Sequence, residues 1–136
     1  MSVNYETTKD IPCEQLHQLF IAVGWSDGTE TADMINNFNL PFINSTVVVT
    51  AWADNNLVGC VRVLSDQMFR SVIYDLAVAP AFQNQGIGKE LVRRCTGYYP
   101  DSEWLVGTTP KLAGYYEGMG FKVVEEVYLS IPSKWF

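Results

Sequence analysis

The stretch from Leu76 to Lys89 constrains the fold of this chain more than any other segment. It begins as an apolar run typical of a strand, turns at Ala79-Pro80, and opens a helical pattern at Gly86-Ile87-Gly88. Glycine has no Cβ, so another group can approach the backbone closely at these positions. The first turn of a helix also presents unpaired N–H groups and the positive end of the helix dipole. This stretch therefore predicts an anion site that a diphosphate would fit.

The spacing of the loop excludes two familiar nucleotide-binding motifs. A P-loop requires G-x-x-x-x-G-K-[ST], but Gly88-Lys89 is followed by Glu90, and Gln stands at the first glycine position. A dinucleotide fingerprint requires a third glycine, where this chain has Leu91. Taken alone, the two remaining glycines leave open a helix start that binds nothing.

The rest of the chain alternates between helical and strand patterns. Helices are predicted over residues 12–23, 29–38, 86–97 and 112–119, and strands over residues 3–5, 46–53, 57–64, 71–78, 103–106, 121–124 and 127–131. Two helices, a hairpin and then alternating strands and helices predict an α/β (α+β) fold with a mixed sheet. The length predicts one domain over residues 1–136.

Composition and net charge limit the kinds of partner that this chain is expected to bind. The formal net charge of −6 opposes general nucleic-acid binding. The three cysteines lack the close spacing of a redox or zinc motif, which indicates a reducing, cytoplasmic compartment. No apolar run approaches the length that crosses a bilayer, and a single histidine without a cysteine cluster argues against a metal site. No nucleic acid, membrane or metal is therefore expected as a partner.

Two motifs carry a resemblance to a known family. The pattern Gln83-x-x-Gly86-x-Gly88, preceded by Val78-x-Pro80, resembles the acetyl-CoA-binding motif of the GNAT superfamily of N-acyltransferases. The later run A-G-Y-Y-E-G-M-G-F, residues 113–121, resembles the superfamily's late helix. The resemblance covers the chain from about Val47 onward. It implies the GNAT fold: a mixed, mostly antiparallel sheet, helices on both faces, and splayed strands that form the acetyl-CoA slot. Residues 61–66 and 73–75 further resemble a branch found in bacteria and plastids.

The resemblance also implies roles for individual residues. Main-chain amides of the loop would hold the diphosphate of acetyl-CoA, and Leu76, Ala77 and Val78 would run beside its pantetheine arm on a strand that usually bears a bulge. The N–H of Leu76 would stabilise the developing oxyanion. Tyr116 matches the position that contacts the cofactor and protonates its leaving thiolate. The loop residues are Gln83, Asn84, Gln85, Gly86, Ile87, Gly88 and Lys89.

The general base stays open at the level of sequence. Some histone-acetylating members place a glutamate early in the third strand, where this chain has Val72. Asp75 is the nearest carboxylate in that strand. Two roles are open for it, a general base and a hydrogen-bonded strand end, because the alternation of strand side chains does not decide which face of the sheet it occupies. Arg62 is expected to pair with Asp66. For Tyr116, the alternative to catalysis is a packed core aromatic.

The predicted function is transfer of an acetyl group from acetyl-CoA to a primary amine by direct attack in a ternary complex. A small amine, such as a polyamine or an arylalkylamine, is favoured over a protein amine because no docking extension is visible. The alternatives are an acetyl-CoA-binding sensor or regulatory module without significant turnover, and an acyl group other than acetyl. The superfamily resemblance also suggests a homodimer.

Overall fold

Five strands form one sheet in the computed structural model of this protein, which describes residues 2–135. The strands are β1 (Asn4–Glu6), β2 (Val47–Ala53), β3 (Asn56–Ser65), β4 (Arg70–Val78) and β5 (Glu103–Val106). The helices are α1 (Cys13–Ala22), α2 (Ala32–Asn36), α3 (Leu40–Ile43), α4 (Ile87–Thr96) and α5 (Ala113–Glu117). Two 3-10 helices, Pro80–Phe82 and Pro110–Leu112, precede α4 and α5. None of the helices within residues 2–135 is long and apolar enough to cross a membrane.

The strands follow one another across the sheet in chain order. All neighbouring strands are antiparallel except β4 and β5, which are parallel. The β2–β3 hairpin closes through Asp54 and Asn55, which have φ angles of 49° and 66°. Both central residues of a two-residue type I′ turn need such positive φ values, and Asp and Asn tolerate them. The pairing of the five strands confirms the predicted mixed, mostly antiparallel sheet.

The sheet carries helices on both faces because its strands alternate their apolar side chains. Val47 and Val49 pack on one face with Leu91 of α4, while Val48 packs on the other face with Leu16 of α1. Helix α4 buries one side and keeps its charged residues outside, as an amphipathic helix does. Both faces are thus covered, as the family resemblance implies.

A bulge redirects β4 halfway along its length. Arg62 of β3 pairs with Asp75, but the next residue, Val63, pairs with Ile73, so Tyr74 is an extra residue in β4. On the other side of β4, β5 pairs with it only from Arg70 to Ile73. The strand continues to Val78 while β5 ends at Val106, so the second half of β4 has no strand beside it on that side. An open edge at this place is what the family resemblance implies.

The two final strands, predicted over residues 121–124 and 127–131, are wrong: the structure has no strand there. The apolar side chains from Val123 to Ile131 are exposed, with Val127 at 86%, Leu129 at 92% and Ile131 at 97%. Residues with high β-propensity form a strand only when a neighbour supplies a hydrogen-bonding ladder. Within the described chain, this segment has none.

Two predicted helices are shorter than expected. The helix predicted over residues 29–38 is confined to α2, because Thr31 caps its start: the Thr31 hydroxyl accepts a hydrogen bond from the Met34 N–H at 3.2 Å. The short helix α3 was not predicted. The helix predicted over residues 112–119 begins as the 3-10 turn and continues as α5 only to Glu117.

Candidate active site

The glycine loop lies where β4 ends and α4 begins. Gly86 precedes α4 with φ of 82°, a left-handed conformation that glycine adopts without strain. The N–H of Glu90 donates to the carbonyl of Gly86 at 3.0 Å, which is the first hydrogen bond of the helix. The N–H groups of Ile87, Gly88 and Lys89 precede that bond and have no acceptor within the helix. They are therefore available to an anion.

The side chain of Gln83 fixes the loop to the end of β4. Its amide nitrogen Nε2 donates a hydrogen bond to the carbonyl of Val78 at 2.9 Å. Asn84 has φ of 63°, a left-handed angle that Asn tolerates because its short side chain can bond locally. The loop is thus held in shape by its own residues.

The two glycines have different surroundings. A Cβ built at Gly86 would meet no atom within 4 Å, so open space lies above it. A Cβ built at Gly88 would collide with the hydroxyl of Tyr115 on α5. Tyr115 therefore lies beside the loop, a placement that sequence reasoning missed. The sequence does not show which of the adjacent residues Tyr115 and Tyr116 faces the loop, because neighbouring residues of a helix point in different directions. The packing of α5 against α4 decides it.

The backbone of β4 turns hydrogen-bonding groups toward the gap beside β5. The N–H of Ala79 donates to Val58 of β3 at 2.8 Å. Successive N–H groups of a strand alternate in direction, so the N–H of Ala77 points to β3 as well. Those of Leu76 and Val78 point to the opposite side, where β5 no longer pairs with β4. This edge can accept an extended ligand as an added strand.

Tyr116 is half-buried on α5. Its ring makes edge contacts with Tyr115, at 5.2 Å between centroids, and with Phe121, at 5.8 Å. Burial, and secondarily the neighbouring Tyr115, raises the pKa of Tyr116 to about 12. The phenol therefore keeps its proton at neutral pH, which suits a proton donor and not a base.

Asp75 faces a cavity and not the loop. Its Oδ2 accepts a hydrogen bond from Arg62 Nε at 2.5 Å, and both side chains are about one-fifth exposed, at 20% and 19%. Arg62 in turn lies 5.6 Å from the ring centroids of Phe42 and Tyr74. The expected pairing of Arg62 with Asp66 is wrong. Asp66 Oδ1 instead accepts hydrogen bonds from the backbone N–H groups of Met68, Phe69 and Arg70, where the chain turns from β3 into β4.

The cavity beside Asp75 has a volume of about 610 Å³. Its walls come from α1, the following loop, α2, α3 and the end of the described chain. Trp25 is 45% exposed and lines this cavity. Its ring meets Phe20 edge-on at 5.1 Å. The cavity has the volume and apolar character of a small-molecule site.

A buried hydrogen-bond cluster holds the loop that carries Trp25. Glu30 accepts hydrogen bonds from Ser26 Oγ, at 2.7 Å, and pairs with His17 Nε2 at 2.8 Å. The side chains of His17 and Glu30 are only 8% and 7% exposed. The bonds from Ser26 and then His17 lower the pKa of Glu30. Sequence reasoning missed this cluster because its members are separated by 4 to 13 positions.

The opened sheet edge thus meets the glycine-rich start of α4 at the end of β4. The family model described as "Acetyltransferase (GNAT) domain" matches residues 29–130, more than half of the chain. The chain therefore belongs to the GNAT superfamily of N-acetyltransferases, and the sequence resemblance is confirmed.

Relatives and solved structures agree with this family. The uncharacterized N-acetyltransferase ycf52 of Pyropia yezoensis is 26% identical over 122 residues, covering 85% of this chain and 67% of that protein. A GNAT family acetyltransferase from Streptococcus pneumoniae TIGR4 has a TM-score of 0.76 at 24% identity, covering 95% of this chain and 98% of that one. An aminoglycoside acetyltransferase from an uncultured soil metagenomic sample, in complex with sisomicin, has a TM-score of 0.73 at 22% identity, covering 96% and 95%. The structural likenesses show a shared fold.

Proposed function

We propose that this protein is an acetyl-CoA-dependent N-acetyltransferase that acetylates the primary amine of a small molecule. One observation carries the proposal: three features meet along the second half of β4. Asp75 lines the cavity, Leu76 turns its N–H toward the open edge, and Val78 is bonded to the glycine loop. An acyl donor on the edge and an amine in the cavity would then meet at Leu76.

The residues present fit acetyl-CoA, which supplies an acyl group already activated as a thioester. The proposed diphosphate site is formed by N–H groups from Gln85 to Lys89, with open space above Gly86. The free edge from Leu76 to Val78 would pair with the pantetheine arm. Gln83 and Asn84 would keep the loop in the binding conformation. Activation of this kind needs no metal ion.

The proposed reaction is direct attack in a ternary complex. The nitrogen lone pair forms a C–N bond, the C–S bond breaks with its electron pair on sulfur, nitrogen loses one proton and sulfur gains one. An amine with a pKa of about 10.4 is neutral in roughly one of two to three thousand molecules at pH 7, so a proton acceptor is needed. Asp75 would take that proton directly or through water. Tyr116 would donate the proton to sulfur, and the N–H of Leu76 would stabilise the charged oxygen.

The remaining proposals concern compartment and assembly. Three free cysteines suit a reducing cytoplasm. We also propose that residues 1–136 act as one catalytic domain, because one sheet carries the edge, the loop and the cavity. The exposed apolar segment ending at Ile131 supports a homodimer, together with the outer edge of β5, which pairs with no other strand within residues 2–135. In this dimer the two surfaces would cover each other.

A thiol-release assay with acetyl-CoA and a panel of primary amines tests the proposed function. We expect amine-dependent release, and we expect Asp75→Asn to lower kcat/KM by roughly 100-fold, within the range for general base catalysis. Asp101→Asn, at an exposed position outside the site, is the matched control. Saturable acetyl-CoA binding without thiol release from any amine would instead support the sensor alternative.

A further inference from the structure

We infer that the cavity beside Asp75 selects an amine with one positive charge and an apolar body, and that it discriminates against polycationic amines. This inference deepens the proposed function by naming the class of amine acceptor. Transfer of an acetyl group to that amine rests on the proposed function. Binding in the cavity, however, can be measured without any acyl transfer.

Five of the described residues that line the cavity are aromatic: Phe20, Trp25, Phe38, Phe42 and Trp135. Phe20 meets three of the other rings edge-on, with centroid distances of 5.1 Å to Trp25, 5.2 Å to Phe38 and 6.3 Å to Phe42. Phe42 is 1% exposed and therefore fixed. Edge-to-face rings form a rigid apolar surface that favours an apolar or aromatic ligand body.

The charges on the cavity wall cancel. Asp75 is the one carboxylate among the described lining residues, and Arg62, the one cation among them, is bonded to it. The other polar lining residues, Asn37, Asn44 and Ser133, are neutral. A second ammonium group of a ligand would lose water here without gaining a counter-charge, which is unfavourable.

One carboxylate oxygen is left for the first ammonium group. Arg62 bonds Oδ2 of Asp75, and a carboxylate has further lone pairs on its other oxygen. Because Asp75 precedes Leu76 in β4, an amine at Oδ1 would lie beside the proposed acyl position. The apolar body of the ligand would then extend toward the ring of Phe42.

An adjoining depression offers no ready substitute for the missing counter-charge. It shares Trp25, Met34 and Trp135 with the cavity and contains Glu30 and Asp27. Glu30 is already engaged by His17 and Ser26 and is only 7% exposed. Asp27 is exposed to solvent, where an ion pair with a ligand ammonium group gains little net free energy, and its Oδ1 already accepts two hydrogen bonds from Thr29.

Intrinsic tryptophan fluorescence can test this selectivity in the absence of acetyl-CoA, since Trp25 and Trp135 line the cavity. The matched probes are hexylamine and 1,6-diaminohexane, which share one chain length and differ by one ammonium group, with 2-phenylethylamine as the aromatic probe. At equal ionic strength, we expect both monoamines to bind saturably and the diamine to bind at least about tenfold more weakly.

Two variants test the role of the paired charges. Arg62→Gln leaves the Asp75 charge uncompensated, so the preference for hexylamine over the diamine should shrink several-fold. Arg70→Gln is the matched control, because Arg70 belongs to an exposed ion pair with Glu103 outside the cavity. Asp75→Asn should weaken both monoamines by about tenfold, and it serves as the second test if Arg62→Gln does not fold.

Tighter or equal binding of the diamine by the wild-type protein would overturn the inference, and so would the absence of saturable monoamine binding. Saturable, selective monoamine binding without thiol release would support the inference and refute the proposed transfer. The experiment therefore distinguishes a failure of the inferred amine selectivity from a failure of the proposed acetyl transfer.

Discussion

Exchanging Gly86 for Asn or for Asp tests whether the loop binds a diphosphate. Gly86 caps α4 with φ of 82°, and a Cβ there meets no atom within 4 Å. Asn and Asp tolerate this conformation better than other residues, and both are favoured at helix N-caps. The two variants should therefore have similar stability, about 1–2 kcal/mol below the wild type, with Asp favoured over Asn by at most about 1 kcal/mol through the helix dipole. They differ only in one negative charge at the proposed binding surface.

That charge sets the expected difference in affinity. Two unit charges about 5 Å apart, in a medium with an effective dielectric constant between about 20 and 80, repel each other by about 1–3 kcal/mol. Gly86→Asp should therefore bind coenzyme A roughly 5- to 150-fold more weakly than Gly86→Asn. Calorimetric titration measures both dissociation constants, and urea unfolding checks that the stabilities are similar. The difference should shrink at high salt. Equal dissociation constants at low salt would refute the assignment of the loop.

Three further outcomes are expected. Tyr116→Phe should lower turnover by roughly 10- to 1,000-fold with acetyl-CoA affinity unchanged. The pKa of Tyr116 is raised to about 12, so its phenol should stay protonated up to pH 10. A decline in the wild-type rate below pH 10 that Tyr116→Phe abolishes would contradict its role as proton donor. Glu30 has a lowered pKa in the folded protein, so its contribution to stability is complete above about pH 5 and is lost as the pH falls through that lowered value. Urea unfolding from pH 6 to pH 3 should show a weaker acid dependence for Glu30→Gln, and an unchanged slope would count against the buried cluster. The double variant Val127→Glu/Leu129→Glu should convert a dimer to a monomer in light scattering, whereas a wild type that is already monomeric would exclude the proposed dimer.

Local chemistry explains which elements could be predicted from the sequence. The strands β2, β3 and β4 follow from dense β-branched residues, and their predicted ends lie within one residue of the observed ones. The glycine loop follows from conformational rules that act within a few residues: Gly86 allows the left-handed turn, and the apolar spacing after it defines α4.

Features that depend on distant partners could not be predicted. The segment from Phe121 to Ile131 has the composition of two strands, but ladder partners are decided by tertiary structure. The cavity is assembled from residues as far apart as Phe20 and Trp135, so no local pattern marks it. The pairing of Arg62 with Asp75 and not Asp66 depends on the bulge at Tyr74, which changes which residues face each other across β3 and β4.

Calorimetric titration with coenzyme A and, separately, with pantetheine tests the central claim most directly, because pantetheine lacks the diphosphate and the nucleotide. If the amides from Gln85 to Lys89 hold the diphosphate, coenzyme A should bind saturably with one molecule per chain, and pantetheine at least about tenfold more weakly. Equal affinities, or no saturable binding of coenzyme A, would contradict the account.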